Sequence, residues 1–447
     1  MEQESFKNRI VNLLGLKNIV RSLRYRNYRL FFYGQSISLI GTWIQRITVP
    51  WLVYRLTGSV FLLGLVGFAG QIPTFIMSPF AGVLIDRWNR HKILVITQIL
   101  ALIQAMVLAL LFYEKSISVW HIAILSVVLG IINAFDMPAR QSFVVDMIEK
   151  KEDLGNAIAL NSSMVNSARL IGPSIAGVLI SLTGEGMCFL LNAVSYIFVI
   201  GFLLMMKMTP RKIEVQDTNA FQKFKEGFSY TFGFIPIRYI ILLLALVSLM
   251  GMPYTVLMPV FAKTILQGGS HTFGFLMGAT GIGALIGAVY MASRRSAAGL
   301  EKFIPWFAAI FGLGLILFSL STNFILSMFL LLFTGFGMLM QMTASNTILQ
   351  TIVDDDKRGR VMSFYTMAFM GTAPFGSLLA GALASKVGAP NTLLIGGVAC
   401  ILGALVFMRK LPVIRKSIRP IYIRLGILPE LATGIQVASE LTSPPVD

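Results

Sequence analysis

Long stretches of this 447-residue chain carry no charge at all. Residues 303–353 lack Asp, Glu, Lys and Arg, as do 56–85, 239–262, 264–293, 361–385 and 387–408. A run of about 18 or more apolar residues, wound as a helix, crosses a hydrocarbon layer about 30 Å thick. A soluble core has no room for six such runs, so the pattern predicts an all-α, polytopic membrane protein. Membrane β-strands would instead alternate over segments of about 10 residues. Twelve helices account for the runs: 30–55, 60–84, 93–113, 119–138, 156–183, 187–207, 238–262, 272–293, 303–320, 324–346, 360–385 and 391–408. Block 303–353 is too long for one span, and Ser321-Thr322-Asn323 is the turn that divides it.

Composition sharpens this picture. Hydrophobic residues make up 56% of the chain and charged ones 13%, with mean hydropathy +0.77; soluble domains carry about 25% charged residues. A net charge of +17 would point a soluble domain towards nucleic acid. Here the basic residues sit between the apolar runs, so the expected partners are a lipid bilayer and a small molecule, and no nucleic acid. Cys188 and Cys400 both fall in apolar segments, which argues against a disulfide framework, and His91, His121 and His271 are scattered, so neither a metal nor another cofactor is expected.

Cytoplasmic loops keep Lys and Arg. With the N-terminus inside, 31 of the 37 basic residues fall on the cytoplasmic face and only Arg55, Lys115, Lys263 and Lys386 on the other. Both termini are therefore expected in the cytoplasm, in a cell inner (plasma) membrane. The expected divisions are a basic interfacial segment 1–29, a six-helix bundle 30–207, a cytoplasmic linker 208–237, a second bundle 238–408 and a tail 409–447. Residues 5–23 and the first part of the tail interleave basic and apolar residues and are expected to lie on the inner leaflet. A shift of 204 lays Gly155, Gly172, Gly177 and Gly184 on Gly359, Gly376, Gly381 and Gly388, and a shift of 210 lays Gly64 on Gly274. With the central linker, this predicts two six-helix pseudo-repeats around a midplane cavity.

Certain segments resemble the major facilitator superfamily. "GVLIDRWNRHK" (Gly82 to Lys92) is similar to its signature between helices two and three, with Asp86, Arg87 and Arg90 at the charged positions and Asn89 where glycine is usual. "ARLIGPSIAG" (Ala168 to Gly177) resembles the Gly-Pro signature of antiporting exporters. "NYRLFFYGQSISLIGTWIQRITVPWLVYRLTGS", "AFDMPARQSFV" and "RGRVMSFYTMA" resemble the enterobactin-exporter-like and macrolide-efflux-like branch. The resemblance implies a secondary transporter; no His-Glu-x-x-His or Gly-x-Ser-x-Gly occurs, so an enzyme is not expected, and the transporter is expected to be a monomer. The resemblance also implies a cytoplasmic gate in which Asp86 caps the N-terminus of helix eleven and Arg87 and Arg90 pair with neighbouring helix ends. Gly172, Pro173 and Gly177 would permit a bend in helix five.

Ionisable residues inside spans are costly and mark candidate sites. At about 1.5 Å of rise per residue, Arg46 and Arg169 lie about 20–24 Å from the inner face and Asp136 about 25 Å from the outer one. Gln35, Ser38, Thr42, Gln45 and Arg46 form a polar stripe on helix one; Ser162, Asn166 and Arg169 form another on helix five. Both stripes are expected to face the cavity, where two guanidinium groups without a carboxylate at their depth suit an anionic or electron-rich substrate. The alternative is that these arginines fix helix packing. In the second half, Gln341, Asn346 and Tyr365 are the polar candidates, alongside Thr343 and Thr366.

Asp136 is the candidate for proton coupling, with Arg140 or Arg90 opposing the upward shift that burial gives a carboxyl group; the alternative is a structural ion pair at the gate. The expected function is proton-coupled export of a small amphipathic molecule, such as a siderophore or drug, by alternating access. The rival is uptake of a siderophore or lipid-like molecule. No phosphate-binding loop ending in Gly-Lys-Ser/Thr occurs, so ATP-driven pumping has no support. Asp86→Asn is expected to shift the population towards the inward-facing state, read as cysteine accessibility on both faces; unchanged accessibility removes the gate role.

Overall fold

The computed structural model describes residues 20–207, 220–294, 296–425 and 427 of the chain. Their regular structure is helical throughout. After a 3₁₀ turn at Arg21–Arg24 come α1 (Arg26–Thr57), α2 (Val60–Arg87), α3 (Arg90–Tyr113), α4 (Val119–Asp146), α5 (Lys151–Thr183) and α6 (Glu185–Leu204). A linker helix, Ala220–Gly233, leads to α7 (Ile235–Ile265), α8 (Ser270–Ser293), α9 (Leu300–Leu320), α10 (Phe324–Ile352), α11 (Lys357–Val387) and α12 (Ala389–Arg424). By length and composition, 11 of these can cross a membrane. The remaining long helix is α1, whose 32 residues include the polar stripe that lowers its hydropathy.

Local chemistry sets the helix ends. Ser59 and Asn89 cap α2 and α3 by accepting from the backbone N–H of Leu62 and Lys92. Asn323, in the expected turn, caps α10 by accepting from Leu326 N–H. Gly58 ends α1 at φ 62°, a left-handed conformation that costs glycine little. Two helices run well past the expected ends. Pro138 lies inside α4, which continues to Asp146. Beyond residue 408, α12 continues to Arg424 because Ile414, Ile418 and Tyr422, four apart, are buried on one face. Most of the N-terminal segment, linker residues 208–219 and the tail from residue 428 lie outside the described residues.

Within the first half, α1 packs on α5 and α6, α3 on α4 and α6, and α2 on α4. Within the second, α7 packs on α12, α9 on α10 and α12, and α8 on α10. The halves meet through α2 against α11 and α5 against α8. In hydrocarbon, where water expulsion cannot drive helices together, small residues permit the close approach that does. A Cβ on Gly64 would lie 2.8 Å from Gly381 Cα, and one on Gly177 would lie 2.8 Å from Gly274 Cα. Nearby, Tyr54 Oη and Thr264 Oγ1 are 2.8 Å apart, Ser270 Oγ donates to the Gly177 carbonyl at 3.1 Å, and the rings of Trp51 and Phe273 stack at 6.1 Å.

These joints cluster at the end of the bundle that carries Arg55 and Lys263. Towards the other end, α2 exposes Ile76 and Phe80, α5 exposes Ile158, and α8 exposes Val289 and Tyr290. The contacts between the halves reach inward as far as Phe75 against Gly371 and Leu170 against Gly281. Gly274→Leu is expected to force α5 and α8 apart at the closed end. A cysteine at the buried position of Ser270 should then react with a membrane-impermeant maleimide several-fold faster than in the glycine background.

Candidate functional site

Two separate arrangements of polar side chains lie inside the first half. The first involves α1 and α5. Arg46 is exposed and Arg169 half-buried. The guanidinium carbon of Arg46 sits 4.8 Å from the centre of the Trp43 ring, and that of Arg169 sits 5.9 Å from the same centre. One indole thus serves two cations, an arrangement favoured electrostatically by its π-face and opposed by their mutual repulsion. Among the described residues, neither guanidinium has a carboxylate partner. Gly172 holds the arrangement in register, since a Cβ there would lie 2.5 Å from Trp43 Cβ. The helix runs unbroken through Pro173, whose carbonyl faces Gly274.

The second arrangement surrounds Asp136, which is 3% exposed. Its Oδ1 accepts from Thr97 Oγ1 at 3.0 Å and from Gln98 Nε2 at 2.7 Å. Its Oδ2 accepts from Arg140 Nη2 at 2.6 Å, a pair made possible by the four-residue spacing on α4. Arg140 also donates to Gln35 Oε1 at 3.2 Å. Thr42 Oγ1 lies 3.3 Å from Tyr196 Oη. Together with Ser38, Ala101, Ile132 and Asn133, these groups other than Thr97 line a cavity of about 30 Å³. Arg90 is engaged elsewhere, with Asp146 at 3.1 Å.

The remaining expected residues are dispersed. Gln45 turns into the first half, donating to Gln104 Oε1 at 3.0 Å and accepting from Asn192 at 2.7 Å. Its position on the stripe did not reveal this, because a helix with neighbours on several sides has more than one polar destination. Asn166 is half-buried and donates to the Ser162 carbonyl at 2.9 Å. Gln341 is buried beside Ser345, while Asn346 accepts from Gln350. Tyr365 donates to the Met342 carbonyl at 3.1 Å. The side chains of Gly82, Asp86 and Arg87 lie outside the described residues.

Trp43, Thr97, Gln98, Asn133 and Tyr196 escaped the sequence reading. The signal was present for Asn133 and Tyr196, which lie three and four residues from Asp136 and Asn192 inside apolar runs, whereas Thr97 and Gln98 have no polar residue at that spacing. Trp43 had only its three-residue spacing from Arg46.

The Asp136–Arg140 pair yields a prediction. Removing one member of a buried pair leaves an uncompensated charge, at a cost of about 3 kcal/mol. Arg140→Leu is expected to lower the thermal midpoint in detergent markedly, and Asp136→Asn with Arg140→Leu to recover most of that loss.

Comparison with known proteins agrees with this architecture. The chain is 28% identical to the staphyloferrin A transporter of Staphylococcus aureus over 84% of this chain and 94% of that one. It is 22% identical to macrolide efflux protein A of Streptococcus pyogenes, over 86% and 96% respectively. In fold it is similar to an inward-facing bacterial homologue of the human lysosomal transporter Spinster, with a TM-score of 0.67, 14% identity, and coverage of 88% and 98%. Residues 20–420 match the transmembrane secretion effector family. A multi-pass helical bundle with a polar interior and no enzymatic relatives among these proteins is a membrane transporter, and the chain belongs to the transmembrane secretion effector family of the major facilitator superfamily.

Proposed function

We propose that this protein is a proton-coupled exporter of a small amphipathic anion, of the siderophore or drug class, working by alternating access. The observation that carries the proposal is the pair of guanidinium groups on Trp43, that of Arg46 exposed and neither paired with a carboxylate among the described residues. Two such forks bind a carboxylate or phenolate through charge-assisted hydrogen bonds, and the indole face offers an apolar platform beside them. The names of the relatives, a siderophore transporter and a drug-efflux protein, support that substrate class, and the family description supports secretion.

In this reading α1 is the twelfth span, its polar stripe turned from lipid, and both termini are cytoplasmic. The substrate's way in is then from the cytoplasm, and the joints at Gly64–Gly381 and Gly177–Gly274 close the outer side. An internal repeat is supported by those joints. Shifts of 210 and 204 map Gly64 onto Gly274 and Gly177 onto Gly381, so each joint maps onto the other. Tyr54 and Thr264, hydrogen-bonded to each other, are themselves 210 residues apart, as expected of a contact on the axis relating the halves. The protein acts as a monomer, and Asp136 takes up and releases the coupling proton.

The test uses inverted vesicles with an imposed pH gradient and two probes, a carboxylate siderophore and a cationic macrolide. Each charge-assisted bond is worth about 1.5–3 kcal/mol. Arg46→Gln and Arg169→Gln should therefore each weaken anion transport about tenfold or more while sparing the macrolide. Asp136→Asn should abolish the dependence on the gradient. Equal loss of both probes would make the arginines packing residues, and transport in the opposite direction would make the protein an importer.

A further inference from the structure

The cavity beside Asp136 contains two polar atoms of opposite kind with nothing to bond. Gln35 Nε2 is a donor and Gln98 Oε1 an acceptor, and neither has a hydrogen-bond partner among the described residues. Their side chains belong to residues 1% and 4% exposed. Each amide's other end is committed: Gln35 Oε1 accepts from Arg140, and Gln98 Nε2 donates to Asp136. Flipping either amide would relieve one orphan atom only by breaking the bond at its other end. A buried polar atom left unpaired costs enough to be rare. The cavity, about 30 Å³, exceeds the 10–15 Å³ needed for one water centre. A water molecule both accepts and donates, which is what an N–H on one wall and a carbonyl on another require.

We infer that Gln35 and Gln98 hold ordered water against the Asp136–Arg140 pair, and that this water is the path by which the Asp136 carboxylate exchanges its proton with bulk water. The inference rests on the coupling role proposed above for Asp136. The path has an evident mouth, because Thr42, Asn133 and Arg140 are half-buried while Gln35, Gln98 and Asp136 are buried. Protonation breaks an O–H bond of a protonated water and forms one to a carboxylate oxygen. The electron pair of the broken bond stays on the water oxygen, and the proton is replaced from bulk water. Arg140 keeps its charge, so the pair passes from net zero to one positive charge. The charged and titratable groups facing Asp136 are Arg140 on its own helix and Tyr196 on α6. Among the described residues, α1 and α3 contribute the neutral Gln35, Ser38, Thr42, Thr97 and Gln98, and α2 contributes no residue to the cavity wall. Gln35 and Gln98 are positioning residues in this scheme.

Ala101, 3% exposed and on the cavity wall, allows the water to be displaced without removing any hydrogen-bonding group. The full-length protein in liposomes is titrated by infrared difference spectroscopy, with Asp136→Asn identifying the Asp136 carboxyl band. Drying the site removes the proton path. Ala101→Val is expected to slow the response of that band to a pH jump about tenfold. Ala105→Val, on the same helix but away from the cavity wall, should leave that rate unchanged. Ile132→Phe fills the cavity from α4 and serves should Ala101→Val fail to fold. A band that responds in Ala101→Val, or in the substituting Ile132→Phe, at the wild-type rate overturns the water path alone. Absence of any titrating Asp136 band between about pH 5 and 9 overturns the coupling role and the path together.

Discussion

An ionised group at hydrocarbon depth needs either a partner or water, and the interior of this bundle treats its ionised groups in two ways: some are paired with an opposite charge and some are not. Asp136 is paired. Arg140, Thr97 and Gln98 surround its carboxylate with three donors at 2.6–3.0 Å, drawn from two helices, and Gln35 of α1 holds Arg140 in place. Arg46 and Arg169 are not: they share the face of Trp43 and have no counter-charge among the described residues. The difference matters because a neutralised pair binds helices together, whereas an open guanidinium is free to bind something else.

Packing at the closed end shows how two rigid bundles can touch firmly and still separate. The joints are glycine backbones in direct contact, backed by a few side-chain hydrogen bonds and one aromatic stack. Such surfaces carry little interlocking side-chain volume, so parting them requires no repacking of either core. In the second half, α7 and α11 each contain a π-turn, Val247–Gly251 and Met367–Gly371. The two turns meet through Ser248 Oγ and the Phe369 carbonyl. Extra residues wound into a helix leave backbone groups available for such bonds and are common where helices bend.

The opposite end is held differently. Glu226 of the linker helix pairs with Arg360 at 2.9 Å, and Phe228, Phe232 and Phe364 cluster beside it. Arg424, at the end of α12, reaches Asp354 at 3.1 Å. Both connections converge on the start of α11, so the linker and the end of α12 brace the same helix. The basic residues of that part of the chain read as a lipid-facing segment when taken alone. Buried Ile414, Ile418 and Tyr422 show one face of it packed on protein.

The order of apolar runs determined that the chain is a multi-span helical bundle, because a run long enough to cross a bilayer can satisfy its backbone there only as a helix. Motif and spacing likewise disclosed the family, the Asp136–Arg140 spacing on one helix, and the turn at Asn323. Only the tertiary structure decided where each polar side chain goes. Gln45 and Arg46 are adjacent in sequence, yet one enters an amide ladder with Gln104 and Asn192 and the other remains exposed beside Trp43. Helical periodicity states which residues share a face; it does not state which of several neighbours that face meets. The ends of α4 and α12 were hidden for the same reason, since both helices continue past the apolar run on contacts made by other parts of the chain.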